Sequence, residues 1–396
     1  MVQSVVVYSF LIAIMLLCAV YAAKKGSVYP TSSGVLKERG FWSFETLVPL
    51  LLFSIVFGMR YDVGKDHLGY LEGYLGGVHI SKGEPLFDLF SNIGWGLNMH
   101  VTVYFGVLAF IQVFFFFYAF KDERYLYPFL VFFLFTNVEW NFWMNGIRQA
   151  LAMCIWLFSI KYIEEKKFWR YLFWCSIAVL FHRSAAVLIV LYPILRNGKD
   201  YFKNIPFQLI LLVSAFAAKT LFSDILLRLE PVIASYANII GDGAYSGYDL
   251  ERLEDSFVES DGTGLVYIFR IVLNIIIILY SIKLKLFYNS KRFIVIYFLF
   301  IIGALTHYMF PVGLISITRP FRYFYVFQTI MFAYFLYYLY RTKLKNIIHG
   351  QSHALMYYGL IIVFIVVFYM SQITADENSH IWYQFFFNQS IHGYPG

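Results

Sequence analysis

Leu47-Val-Pro-Leu-Leu-Leu-Phe-Ser-Ile-Val-Phe57 and Ala354-Leu-Met-Tyr-Tyr-Gly-Leu-Ile-Ile-Val-Phe-Ile-Val-Val-Phe-Tyr-Met370 decide the fold. Neither stretch alternates apolar and polar residues, so neither reads as a strand of a membrane β-barrel. Both are near-continuous apolar runs, which in lipid satisfy their backbone as helices. The rest of the chain shares this character: of 396 residues, 60% are hydrophobic and 14% charged, and the mean hydropathy is +0.65. A water-soluble globule is excluded. At ~20 residues per crossing, the apolar content allows about twelve spanning helices. The expected class is all-α, a polytopic helical membrane protein forming a single transmembrane domain over residues 1–396.

Twelve membrane segments are expected, at about Val5 to Ala23, Phe44 to Met59, Val101 to Phe120, Tyr125 to Trp140, Ile147 to Ile163, Trp169 to Phe181, Ala185 to Leu195, Pro206 to Leu221, Leu265 to Ile282, Phe293 to Tyr308, Phe321 to Tyr340 and Ala354 to Met370. The first has no basic stretch before it and Lys24 and Lys25 after it, so it reads as an uncleaved anchor with its N-terminus outside. Alternating from there puts 20 of the 31 Lys and Arg residues in short inward loops, including Lys121, Arg124, Lys161, Lys166, Lys167, Arg170, Lys283, Lys285, Lys291 and Arg292. The formal net charge of +7 is then topological, and nucleic acid is not an expected partner. Residues 60–100 and 224–264 face outward, with a tail from Ser371 to Gly396. The acidic stretch Gly241 to Asp255 reads as a surface loop without calcium-loop spacing. Cys18, Cys154 and Cys175 lie inside apolar runs and read as packing residues.

The segment Phe168 to Leu195 is too short for two full spans and carries Phe181-His182-Arg183-Ser184 at its middle. Read as a hairpin of short helices, it puts His182 and Arg183 in or near the membrane, against protein or water rather than lipid. Other charges gather on the outward side. Arg60-Tyr-Asp-Val-Gly-Lys-Asp-His67 follows the second span, with Tyr70 and Glu72 just beyond; Asn145-Gly-Ile-Arg148-Gln149 opens the fifth; Arg319-Pro-Phe-Arg322 opens the eleventh. A single interfacial arginine serves lipid headgroups as readily as a ligand. Several guanidiniums facing one pocket repel one another unless an anion joins them, and phosphate or pyrophosphate is the anion that arginine forks fit best. Asp62 and Asp66 could pair with Arg60 and Lys65, and Gly64 allows a tight turn. Trp95, Trp140 and Trp143 could stack on sugar faces or form the interfacial aromatic belt.

Three stretches in register resemble the EpsG-like family of bacterial polysaccharide polymerases, grouped functionally with Wzy polymerases. Arg60-Tyr-Asp-Val-Gly-Lys-Asp-His-Leu-Gly-Tyr70 is similar to a family pattern Arg-Tyr-x-Val-Gly-x-Asp-Tyr-x-x-Tyr, with His67 where the family commonly has Tyr. Ile147-Arg-Gln-Ala-Leu-Ala152 is the second stretch, and Leu180-Phe-His-Arg-Ser184 matches Phe-His-x-Ser, with Arg183 in the variable position. The likeness covers about Phe44 to Leu195, and Arg319 and Arg322 fit a loosely defined late arginine.

The resemblance implies a glycosyltransferase in the bacterial cytoplasmic membrane whose site faces outward. Its substrates would be oligosaccharide repeat units on undecaprenyl pyrophosphate, and its product exopolysaccharide, capsule or O-antigen. A flippase and a chain-length regulator of the same pathway would be its partners. The chemistry needs cations on the departing pyrophosphate, a base for the acceptor hydroxyl and stabilisation of an oxocarbenium-like carbon. Arg60, Arg148, Arg319 and Arg322 are the candidate pyrophosphate ligands, and His182 or Asp66 the base. Asp62, Gly64, Tyr70, Gln149 and Ser184 support them from the same stretches. No cofactor and no metal are expected, because the outward segments lack Asp-x-Asp or clustered His and arginines can neutralise pyrophosphate. A lipid-linked sugar flippase would normally show two related halves, which the sequence lacks. A membrane O-acyltransferase would leave the arginines unexplained. A glycan ligase shares the donor chemistry and differs in its acceptor.

Overall fold

The computed structural model describes residues 2–26, 28–30, 36–76, 83–137, 139–219, 265–310, 315–343, 350–370 and 381–388. The expected outward loop 224–264, the acidic stretch 241–255 within it and most of the tail from Ser371 lie outside the described residues. The described chain is helical apart from two small two-stranded antiparallel pairings. Among the described residues four helices are long and apolar enough to cross a membrane, Val2–Lys25, Val101–Ala119, Lys291–Met309 and the run Gly350–Met370, and a bent pair makes a fifth. Five shorter apolar helices accompany them, so the protein is an all-α membrane protein.

The chain divides into two compact units, residues 1–189 with 332–396, and residues 190–331. The first begins with α1 (Val2–Lys25), the strand pair β1 (Val28–Pro30) and β2 (Leu36–Glu38), and α2 (Phe44–Gly58). Strand β3 (Arg60–Tyr61), α3 (His67–Leu75) and α4 (Pro85–Gly96) follow in the segment expected outside. Then come α5 (Val101–Ala119), α6 (Tyr127–Thr136), α7 (Glu139–Asn145), α8 (Ile147–Glu164) and α9 (Phe168–Phe181). Helix α8 is the centre of the unit. From Gln149 to Ile160 every side chain is buried, and α5, α7 and α9 pack around it. Helix α2 lies along α5, and α1 along α2 and α6.

The two ends of this unit are chemically distinct, separated by α1, about 36 Å of helix at 1.5 Å per residue. At one end Lys25 pairs with the buried Glu45 at 3.1 Å, and Arg124 donates to the carbonyls of Arg39 and Gly40. At the other end the C-terminal segment 381–388 straps the start of α1 to the end of α2. Its strand β4 (Gln384–Phe385) pairs with β3, the Tyr383 amide donates to Ser4 Oγ at 2.8 Å, and the Tyr383 hydroxyl donates to the Val56 carbonyl at 2.6 Å. The strap therefore lies at the same end as Arg60.

The second unit contains α10 (Leu191–Leu195), α11 (Ile205–Lys219), α12 (Leu265–Leu279), α13 (Ser281–Tyr288), α14 (Lys291–Met309) and the start of α15 (Ile315–Thr342). Helices α12 and α13 are bent by 60° at Tyr280. Polar side chains tie its interior: Asn274 Nδ2 donates to the Tyr308 hydroxyl at 2.8 Å, Gln328 Nε2 to Asn274 Oδ1 at 3.2 Å, and the Tyr297 hydroxyl to Gln208 Oε1 at 2.5 Å. Helix α16 (Gly350–Val363) with its π-helical extension Phe364–Met370 belongs to the first unit.

Candidate functional site

The loop after α2 is built around a tight turn. Gly64 has φ +93°, and a Cβ there would stand 3.0 Å from the Met144 carbonyl oxygen and 3.2 Å from the Asn145 nitrogen. The turn therefore lies directly on the α7–α8 junction, and only glycine fits. Arg60 fastens it from beneath. The residue is 2% exposed, and its guanidinium donates to the carbonyls of Phe57 at 2.6 Å, Val63 at 3.2 Å and Met144 at 3.4 Å. The amide of Asp66 completes the junction by donating to Asn145 Oδ1 at 2.8 Å. Two motifs distant in sequence, the Arg60–Tyr70 stretch and the residues opening α8, are thus one structural feature.

Past this turn, α3 carries Tyr70 and α8 carries Arg148 to a common point. Arg148 Nε donates to the Tyr70 hydroxyl at 3.3 Å, and the guanidinium lies 5.9 Å from the Tyr70 ring and 5.8 Å from that of Phe87. Arg148 Nη1 then donates to Glu84 Oε2 at 2.5 Å. Glu84 is the residue before Pro85 and so takes an extended backbone, φ −119° and ψ 89°, as the pre-proline position favours. Its side chain leaves the start of α4 uncapped and turns inward instead.

The second oxygen of Glu84 meets His182. Helix α9 ends at this residue, which is extended (φ −158°, ψ 114°), and the chain resumes as a 3₁₀ stretch Arg183–Val190. This matches the expected break at His182 between two short helices. The imidazole Nδ1 is hydrogen-bonded to Glu84 Oε1. Among the described residues Nε2 is buried and has no hydrogen-bonding partner. The Tyr171 hydroxyl fixes the 3₁₀ stretch by donating to the Leu188 carbonyl at 2.6 Å while accepting from Trp156 Nε1 at 3.0 Å. Next door, Arg183 Nε donates to the Gly83 carbonyl at 2.5 Å; Gly83 has φ +69°, and the guanidinium occupies the place a Cβ would take.

Glu84 is 4% exposed. Burial alone would raise its pKa, but the hydrogen bonds and charges of His182 and Arg148 outweigh it and hold the carboxyl below the usual carboxylate range. Burial also pushes the Tyr70 phenol up, only partly countered by Arg148. The cluster is a neutralised cation beside a carboxylate and an imidazole whose second nitrogen is unmatched. Such an arrangement can hold an anion on the remaining arginine donors and accept a proton on the imidazole.

The other sequence candidates divide. Arg60 and Gly64 are at this end but shape the loop. Asp66 is exposed, precedes α3 and makes no capping bond with its side chain. Asp62 sits at φ +49°, Gln149 is buried one position past Arg148, and Ser184 is half-buried two positions past His182. Arg319 and Arg322 lie on α15 in the second unit, where the Arg322 guanidinium stands 5.4 Å from the Tyr325 ring. His67, which the sequence offers as a titratable rival beside Asp66, is fully buried between Tyr61 and Phe105, and neither ring nitrogen has a hydrogen-bonding partner among the described residues. Burial, with the Arg60 charge beside it, lowers its pKa to about 2. Trp140 and Trp143 are fully buried core residues and cannot stack on a sugar as the sequence allowed; Trp95 is 52% exposed.

Glu84 is the residue the sequence reading missed. The signal was present in Gly83-Glu84-Pro85, an acid fixed before a helix-opening proline. Only its partners, 64 and 98 residues further on, give it meaning.

Among the described residues no group of three or more His, Cys, Asp or Glu side chains is placed to hold a metal ion. A family model described as the EpsG family matches residues 46–387, most of the chain. No curated protein and no solved structure matches it.

Proposed function

The chain belongs to the EpsG family, whose members are Wzy-type polysaccharide polymerases, and from that premise we propose that it transfers glycan from undecaprenyl pyrophosphate onto a lipid-linked repeat unit at the outer face of the cytoplasmic membrane. The observation that carries this reading is the meeting of Arg148 and His182 Nδ1 on one carboxylate, Glu84, which leaves His182 Nε2 without a partner among the described residues. The donor's anomeric carbon has pyrophosphate as leaving group. Arg148 binds its oxygens through guanidinium donors not used by Tyr70 and Glu84. As the acceptor hydroxyl oxygen forms its bond to that carbon, its proton passes to His182 Nε2. The carbon–oxygen bond to phosphate breaks, and the electron pair leaves on the pyrophosphate. Asp66, at the start of α3 and open to solvent, would orient the acceptor rather than deprotonate it. Arg60 holds the loop.

The outward assignment rests on charge. Lys24, Lys25 and Arg124 gather at the end of the first unit opposite Arg60, and basic ends stay cytoplasmic. The reading includes metal independence. Purified protein in vesicles, given a defined undecaprenyl-pyrophosphate repeat unit, should yield a ladder of multiples on the lipid, unchanged by EDTA. Glycan delivered to a foreign acceptor would make it a ligase, and movement of the unit across the bilayer without a ladder would make it a flippase.

A further inference from the structure

Glu84 touches neither the departing group nor the acceptor in the reaction just described, yet both residues that do are attached to it. Arginine is donor-only, so Glu84 Oε2 must accept from Arg148. Glu84 Oε1 is likewise an acceptor, so in the neutral imidazole the proton must sit on Nδ1, where the hydrogen bond to Glu84 is made. The lone pair is thereby forced onto Nε2, the nitrogen that no described residue engages. Segment 83–84 is itself anchored, through the Arg183 bond to the Gly83 carbonyl.

We propose that Glu84 is a positioning residue that fixes the His182 tautomer, with Arg148 dictating which way round any side chain at position 84 must face. This rests on His182 acting as the base. It has an unusual consequence for the near-isosteric Glu84→Gln. An amide has one acceptor and one donor end. Arg148 claims the oxygen, which turns the amide NH₂ toward His182 Nδ1. Nδ1 must then accept, the proton moves to Nε2, and the base is lost while the shape of the site is kept. Anion binding does not weaken, because Glu84→Gln removes a negative charge beside Arg148.

The test uses the full chain in nanodiscs with ¹⁵N-histidine, the His182 signal being assigned by its loss in His182→Ala. Wild-type His182 should carry its proton on Nδ1; a proton on Nε2 overturns the proposal without need of any variant at position 84. Glu84→Gln should move the proton to Nε2, lower kcat about 100-fold or more, as loss of a general base does, and leave KM for the lipid-linked donor unchanged or lower. Glu84→Asp, with two acceptor oxygens, should restore the Nδ1 proton and part of the turnover. A proton that stays on Nδ1 in Glu84→Gln overturns the proposal. A proton that moves while turnover persists upholds the role of Glu84 in placing the proton and overturns His182 as the base.

Discussion

Arg60 and Arg148 stand at the same end of the first unit, and their partners make them different residues. Arg60 is fully buried and its guanidinium faces three backbone carbonyls, neutral acceptors that no substrate replaces. Arg148 is 21% exposed at its side chain and faces a carboxylate and a phenol, groups that couple it to a histidine and leave donors over. An arginine spent on carbonyls is a strut. In the proposed reaction, the one held by a carboxylate beside an imidazole binds the leaving group. Sequence shows two arginines next to spans and cannot tell them apart.

The comparison breaks first at the histidine. His182→Ala should lower polymerisation by about 10²–10⁴-fold, the worth of a general base, with the protein still folded and binding the lipid-linked donor. Turnover near normal, with Asp66→Asn inactive, would transfer the role to Asp66. Next in size is Arg148. Arg148→Lys should be nearly as damaging as Arg148→Ala, about 100-fold in kcat/KM, because ammonium supplies charge without the planar fork. A fully active lysine variant would make Arg148 as much a strut as Arg60.

Arg60 should fail in the opposite way. Arg60→Met leaves three carbonyls without a donor, at about 1–3 kcal/mol for each that stays buried. The melting temperature in detergent should fall by several degrees while turnover per folded molecule stays within a few-fold. A variant of normal stability and no activity would return Arg60 to the pyrophosphate. Gly64→Ala tests the same turn through strain alone: φ +93° and a Cβ 3.0 Å from the Met144 oxygen should cost about 1–3 kcal/mol.

The smallest effect belongs to His67. Its folded pKa, about 2, lies below the ordinary histidine value, so the unfolded chain binds the extra proton more readily. The stability from keeping His67 neutral is complete above about pH 6.5 and is lost progressively as pH falls from there toward 2. His67→Phe should flatten that acid loss in thermal unfolding between pH 7 and 5. An unchanged pH slope would place the acid sensitivity elsewhere.

The sequence determined the all-α membrane class and the break at His182, because those depend on local quantities. Apolar run length fixes a span, and a polar Phe-His-Arg-Ser break inside an apolar stretch marks where helix cannot simply continue. It also supplied the family through three motifs in register between about Phe44 and Leu195, and the family model matches residues 46–387. Tertiary structure alone decided that Arg60 is buried on carbonyls, that Trp140 and Trp143 are core, and that Glu84 joins Arg148 to His182. Burial and pairing depend on which distant segments meet. A lone acid before a proline looks like any loop residue until α4, α8 and α9 bring a guanidinium and an imidazole to its two oxygens.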